Sequence, residues 1–209
     1  MISFLITVKN EEEYIPRLIE QLVSVVDDGD EIIFLSDFSD YPTLSLLENF
    51  RDNSNLSVEI YSHNLNNDFA SHKNYGIEQC RCEWIVQLDA DELMSHGLAN
   101  NLHTLLEYND DTELFLVPRV NIVEGLTQED VNRWGWQVND QGWVMWPDYQ
   151  TRIFKNNEEI RWEGEVHERI TGFQSYAPLP EEEDWALYHL KDILRQREQN
   201  DLYETIQRG

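Results

Sequence analysis

Three carboxylates fall within four positions in the stretch QLDADELM, residues 87–94: Asp89, Asp91 and Glu92. The run WIVQL that leads into them is apolar and β-branched enough to read as a buried strand, so the acids stand where a core strand leaves its sheet. Burying an unpaired carboxylate is costly, which leaves two readings. Either the acids face water in an ordinary turn, or they share a bound cation. Two carboxylates one residue apart can place one group on a divalent ion and the other toward a sugar hydroxyl or a water on that ion. Hard cations such as Mg2+ or Mn2+ take oxygen ligands and keep positions open for substrate phosphates. A lone D-x-D does not choose between turn and cation, since exposed acids are common.

Other residues carry the same double reading. Asp37, in LSDFSD, ends a second apolar run. It can accept from a base N–H or a ribose hydroxyl, or cap the helix that opens at Pro42. Lys73, in ASHKNYG, is either a cation beside phosphates or a solvated helix lysine. Residues 130–150 hold Trp134, Trp136, Trp143 and Trp146 among glycines and amides. Their flat apolar faces suit stacking on sugar rings, and equally suit a core. His63, His72, His96 and His103 match no ligand spacing and read as solvated or capping residues. Cys80 and Cys82 are too few and too closely spaced for a zinc site and read as reduced thiols.

The elements that position these groups follow from the pattern around them. ISFLITV (2–8), EIIFL (31–35), SVEIYS (57–62) and EWIVQL (83–88) read as strands. Between them lie helical patterns over 12–26, over PTLSLLENF and over ASHKNYGIEQC, with Pro16 confined to a first turn. Strand alternating with helix implies a parallel sheet covered on both faces. Ligands of such sheets gather at the carboxyl ends of the strands, where Thr7, Asp37 and Asp89 fall. A helix GLANNLHTLLEY, one strand TELFLVPRVNIV, strands YQTRIFK and IRWEGEVHERI, and a closing charged helix over 191–207 complete the reading.

At 209 residues the chain suits one domain with a substantial core. Its 15 basic and 41 acidic residues give a formal net charge of −26. Such a surface repels nucleic acid and anionic membrane, and a phosphate-bearing substrate needs a local basic residue or a metal ion to bind. No apolar run approaches the roughly 18 residues of a membrane span and no leader pattern opens the chain, so a cytoplasmic protein is expected.

TVKNEEEYI, LSDFSD, FASHKNYGIEQCRCEWIVQLDADE, RIFKN and WEGEVHERI, taken in order, resemble family 2 glycosyltransferases over residues 2–189. The WEGEVHE segment resembles a bacterial subgroup that modifies lipopolysaccharide cores or peptides. The resemblance implies a single Rossmann-like α/β domain of the nucleotide-diphospho-sugar transferase (GT-A) type, with a mostly parallel central sheet and helices on both faces. Residues 1–123 would form the nucleotide-sugar-binding half and 124–209 the acceptor-binding and catalytic half.

On that resemblance Thr7, Lys9 and Glu11 line the base and ribose pocket, Asp37 bonds the base, and Lys73 stands near the diphosphate where the family usually has arginine. Asp89 meets the ribose or metal waters, and Asp91 binds Mn2+ or Mg2+ directly. His189, in ALYHL, completes the metal shell or is a satisfied core histidine. Glu168 takes the acceptor's proton, with His167 and Asp148 in reserve; otherwise His167 and Glu168 simply alternate on an edge strand. Trp143, Trp146 and His167 are the candidate acceptor wall. The implied activity is metal-dependent, inverting transfer from a nucleotide-sugar, UDP-sugar first, to a glycan, lipid-linked or protein acceptor. A non-catalytic nucleotide-sugar or carbohydrate-binding protein is the rival. A sugar nucleotidyltransferase is disfavoured because VKNEEEYI has no glycine.

Overall fold

The computed structural model describes residues 1–165, 167–194 and 196–197. Its first half is the anticipated alternation: β1 (Ile2–Val8), α1 (Ile15–Val25), β2 (Glu31–Ser36), α2 (Tyr41–Asn53), β3 (Val58–Ser62), α3 (Phe69–Ile77) and β4 (Trp84–Asp89). β1 to β4 are mutually parallel, and β1 lies between β4 and β2 near the middle of a seven-stranded sheet. Residues of β1 alternate between two cores, as pleating requires. Phe4, Ile6 and Val8 pack with Leu18, Leu22 and Leu47 of α1 and α2, while Leu5 packs with Ala70 and Ile77 of α3. Helices therefore cover both faces.

The register sets where the strands end. Thr7 pairs with Asp89 across β1 and β4, and Val8 with Ser36 across β1 and β2. All three parallel strands thus stop at one level, and the polar residues that follow them share one edge.

The second half departs from the expected elements in three places. TELFLVPRVNIV is two strands, because Pro118 has no N–H to continue a ladder. β6 (Leu114–Val117) belongs to the large sheet, whereas β7 (Arg119–Glu124) joins a small sheet with β5 (Glu92–Met94) and β12 (Leu187–Asp192). Helix α4 (His96–Glu107) precedes them and buries Leu98 and Leu102 against the first core. β8 (Gln150–Lys155) runs antiparallel between β4 and β6. IRWEGEVHERI is not one strand but the short hairpin β9 (Arg161–Glu163) and β10 (Arg169–Thr171), so His167 and Glu168 sit in its connecting loop and do not alternate on an edge. Lys191 and Asp192 end β12 where a helix was expected, and most of that closing helix lies outside the described residues. The remaining elements are α5 (Gln128–Trp134), held by a Thr127–Asp130 capping box, the edge strand β11 (Tyr176–Pro178), and a short 3-10 helix over Glu183–Trp185. Among the described residues no helix is long and apolar enough to cross a membrane.

Candidate active site

A cavity of about 920 Å3 opens at the carboxyl ends of β1, β2 and β4. Thr7, Lys9, Glu11, Asp37, Lys73, Asp89, Asp91, His167, Glu168 and His189 all line it. Trp143 and Trp146 do not. They pack edge-on against each other, ring centroids 5.0 Å apart, and the intervening Val144 and Met145 face the cavity instead. Among its aromatic lining residues are Trp136 and Trp162, with Phe69, Tyr149 and Phe173.

The three acids of DADE go three ways. Asp89 accepts from the Thr7 hydroxyl at 2.8 Å through one oxygen and from Arg152 Nη2 at 2.5 Å through the other. Burial alone would raise its carboxyl, but Arg152, Lys73 and the Thr7 hydroxyl outweigh that and hold it well below the usual carboxylate range. Glu92 is fully buried and takes Arg152 at 2.7 Å and Arg119 at 2.8 Å on one oxygen. Its other oxygen receives the Asp89 N–H at 3.1 Å. A cation shared by the whole cluster is therefore not what makes it tolerable. Two arginines neutralise Asp89 and Glu92, as buried charge demands.

Asp91 is the acid directed elsewhere. Its Oδ2 lies 3.4 Å from His189 Nε2, with both side chains nearly buried at the cavity wall. Burial dominates at His189 and lowers its pKa, which keeps the imidazole neutral near pH 7. Burial raises Asp91, but His189 and Lys191 together offset it and the carboxyl stays below its ordinary range. A carboxylate oxygen and a neutral imidazole nitrogen side by side suit Mn2+ or Mg2+, with the open positions left to phosphate and water. No cluster of three or more His, Cys, Asp or Glu that could hold a metal occurs among the described residues.

The side of the cavity where the resemblance expects the nucleotide is built from α3 and the ends of β1 and β2. Asp37 accepts the Leu65 N–H at 3.0 Å, and Lys9 Nζ lies 3.2 Å from its other oxygen. Asp68 caps α3 by accepting the Ser71 N–H at 2.8 Å, so the helix starts at a fixed point and carries Lys73 inward. Lys73 is almost buried; its ammonium sits 4.3 Å from the Trp162 ring centroid and 2.5 Å from Glu168 Oε1. Trp162 is fixed in turn by donating from Nε1 to Gln87 at 2.9 Å. The lysine and the glutamate nominated for separate tasks are thus paired to each other.

Asp148 is engaged on both oxygens. Arg119 donates twice to Oδ2, at 2.9 and 2.6 Å, Asn121 donates to the same atom at 2.8 Å, and Gln150 donates to Oδ1 at 2.8 Å. His72 was expected to be solvated or capping but is buried, on the same helix as Lys73, with its ring 3.4 Å from His63 through facing Nδ1 atoms. His103 bonds Asp30 at 2.8 Å. Cys80 and Cys82 are free, buried thiols, as expected. Met145 and His167 both line the cavity with φ of 57°, a left-handed backbone that side-chain-bearing residues seldom adopt and that clusters at binding sites.

The family model for glycosyl transferase family 2 matches residues 3–176. The chain belongs to this family. Among curated relatives of this family 2 domain, the SPbeta prophage-derived glycosyltransferase SunS of Bacillus subtilis (strain 168) is 27% identical over 188 residues, 88% of this chain and 38% of SunS. An uncharacterized glycosyltransferase of Haemophilus influenzae is 27% identical over 110 residues, 53% of this chain and 34% of that protein. Among solved structures, S. aureus TarS 1-349 in complex with UDP-GlcNAc matches with a TM-score of 0.64 at 16% identity, covering 91% of this chain and 58% of that one. The TarS 1-349 structure gives 0.62 at 17% identity, over 90% and 60%. These likenesses show the GT-A fold. The family 2 domain spans less than two fifths of the length of the curated relatives it matches.

Sequence reasoning overlooked Arg119, Arg152 and Trp162 in the family 2 site, and of the four clustered tryptophans it favoured Trp143 and Trp146 over Trp136, the one that lines the cavity. One signal was available: an arginine inside the strand pattern TRIF must find a partner when the strand is buried. Which partner it finds depends on β8 lying beside β4, and local pattern does not carry that.

Proposed function

We propose that the chain is a metal-dependent glycosyltransferase that moves a sugar from a nucleotide-diphospho-sugar to an acceptor hydroxyl. The observation that carries this reading is the meeting, in one cavity at the strand ends of a family 2 domain, of Asp37, Lys73 and the Asp91–His189 pair. The TarS complex contains UDP-GlcNAc, which makes UDP-sugars the first donors to test. Asp37 then receives the base and Lys73 the diphosphate. Asp91 and His189 would hold the divalent ion, which supplies positive charge to a leaving diphosphate. A surface of net charge −26 needs this local cationic provision to accept an anionic donor.

Glu168 is the base of this scheme: its carboxylate accepts the acceptor's proton as the hydroxyl attacks the anomeric carbon, in a single inverting displacement. Asp148 is a poorer base, because Arg119, Asn121 and Gln150 occupy its oxygens. The pairing of Glu168 with Lys73 gives the scheme an order. A diphosphate arriving at Lys73 competes for the ammonium, and the carboxylate that loses it becomes available to the acceptor. Trp136 and Met145 form the apolar side of the cavity, where a glycan, lipid-linked or protein acceptor would lie.

The test is release of UDP from UDP-sugars with Mn2+, with chelator, and in Asp91→Asn. Activity should disappear with chelator and fall by at least about a hundredfold in the variant. Turnover indifferent to both would refute the metal-dependent reading, and nucleotide binding without turnover on broad acceptor sets would favour a non-catalytic binding protein.

A further inference from the structure

Asn121 and His189 are register partners on the parallel strands β7 and β12. The Asn121 amide has no freedom in which way it faces. Its nitrogen Nδ2 lies 2.8 Å from Asp148 Oδ2 and 3.3 Å from the Val144 carbonyl, and both of these are acceptors. Exchanging the amide's nitrogen and oxygen would set an oxygen against a carboxylate that burial pushes up but that Arg119, with Asn121 and Gln150, holds below its ordinary range. The carboxylate cannot turn aside, for Arg119 grips one of its oxygens through two nitrogens and Gln150 holds the other. The Asn121 oxygen is therefore the atom that faces His189, 2.8 Å from Nδ1.

An amide oxygen only accepts, so Nδ1 must carry a proton. A neutral imidazole has one N–H, and its other nitrogen carries a lone pair. In His189 that other nitrogen is Nε2, the atom 3.4 Å from Asp91 Oδ2. We propose that Asn121 is a positioning residue that fixes the tautomer of His189, with Asp148 as the anchor that fixes Asn121, so that the Nε2 lone pair is presented beside Asp91 at the cavity wall. The opposite tautomer would set two acceptors against each other across 2.8 Å at Nδ1, a closer clash than the 3.4 Å between Nε2 and the Asp91 carboxylate oxygen, and would place an N–H where a cation is to bind. The proposal rests on the metal-dependent reading above for its purpose, but the tautomer itself does not.

This assigns a positioning role to two cavity-lining residues, Asn121 and Asp148. Arg119 becomes the start of a chain running Arg119, Asp148, Asn121, His189, in which each hydrogen bond leaves the next group a single orientation. Groups that orient a metal-binding imidazole through its second nitrogen typically change metal affinity by about 10- to 100-fold when removed.

The experiment uses protein labelled with 15N at histidine. Long-range 1H–15N correlations near neutral pH, in metal-free buffer, should show His189 protonated at Nδ1 and not at Nε2. Asn121→Ala should shift it toward the Nε2–H form, and Mn2+ affinity, read by electron paramagnetic resonance of the free ion with UDP present, should fall about tenfold. Asp148→Asn, which keeps Asn121 but weakens its anchor, provides the same two readouts should the first variant fail to fold. An Nε2–H tautomer in the unsubstituted protein, or an Nδ1–H tautomer and unchanged Mn2+ affinity in both variants, would overturn the proposal. A tautomer that behaves as expected in a protein that binds no Mn2+ supports Asn121 as the positioning residue and defeats the metal-dependent reading instead.

Discussion

Lys73 has two claims on its ammonium, one from Glu168 and one from the diphosphate assigned to it, and the two are thermodynamically linked. A phosphate that must displace a carboxylate binds more weakly than one that need not. Glu168→Gln, which leaves the shape but removes the competing charge, should therefore tighten UDP binding by about three- to tenfold, roughly 1 kcal/mol. The same variant should lower transfer by at least about a hundredfold, because it removes the base. Lys73→Met should weaken UDP, and in that background Glu168→Gln should no longer matter. Calorimetry on the four proteins closes the cycle; an unaltered UDP affinity in Glu168→Gln alone would show that the pair is not in competition with phosphate.

Among the elements, α3 does the most to place chemistry, since it delivers His72 and Lys73 from one helix of nine residues. Its start is fixed by the Asp68 side chain on the Ser71 N–H. Asp68→Ala should cost about 1 kcal/mol in urea unfolding and raise the Kd for UDP, because the first turn that carries Lys73 would fray. A stability loss without any change in UDP binding would separate the cap from the site. The β1 to β4 core and its helices were legible because continuous apolar runs and 3.6-residue periodicity are local signals. The split at Pro118 was legible in principle, yet the pattern TELFLVPRVNIV looks continuous if the missing N–H is not counted. The loop carrying His167 and Glu168 was not, because Trp162 and Ile170 keep strand-like spacing on either side of a turn.

The molecule as a whole gathers acids whose ionised forms the fold favours and histidines whose neutral forms it favours. His72 is lowered to about 4, chiefly by burial and then by His63. An unfolded chain protonates this histidine below its ordinary value near 6.5, whereas the folded one does not until about 4, so folding loses stability as pH falls through that window. Asp89, Asp91 and Asp148, all depressed in the fold, add a loss of the same sign at lower pH. Denaturant midpoints between pH 7 and 4 should decline, and His72→Gln should decline less over the upper part of that range. Parallel pH curves for the two proteins would exclude His72 as the titrating group.

The sequence by itself determined the alternation of strand and helix, the convergence of Thr7, Asp37 and Asp89 at one sheet edge, and the nomination of Asp91, His189, Lys73 and Glu168, because each rests on local pattern or on an ordered set of motifs. Only the tertiary structure decided who neutralises whom. Arg152 reaches Asp89 and Glu92 because β8 lies antiparallel beside β4, Asn121 meets His189 because β7 and β12 run in register, and Lys73 meets Glu168 because a hairpin loop folds over α3. Charge pairing acts over a few ångströms between residues that are about 60 to 95 positions apart, and no window along the chain contains both partners.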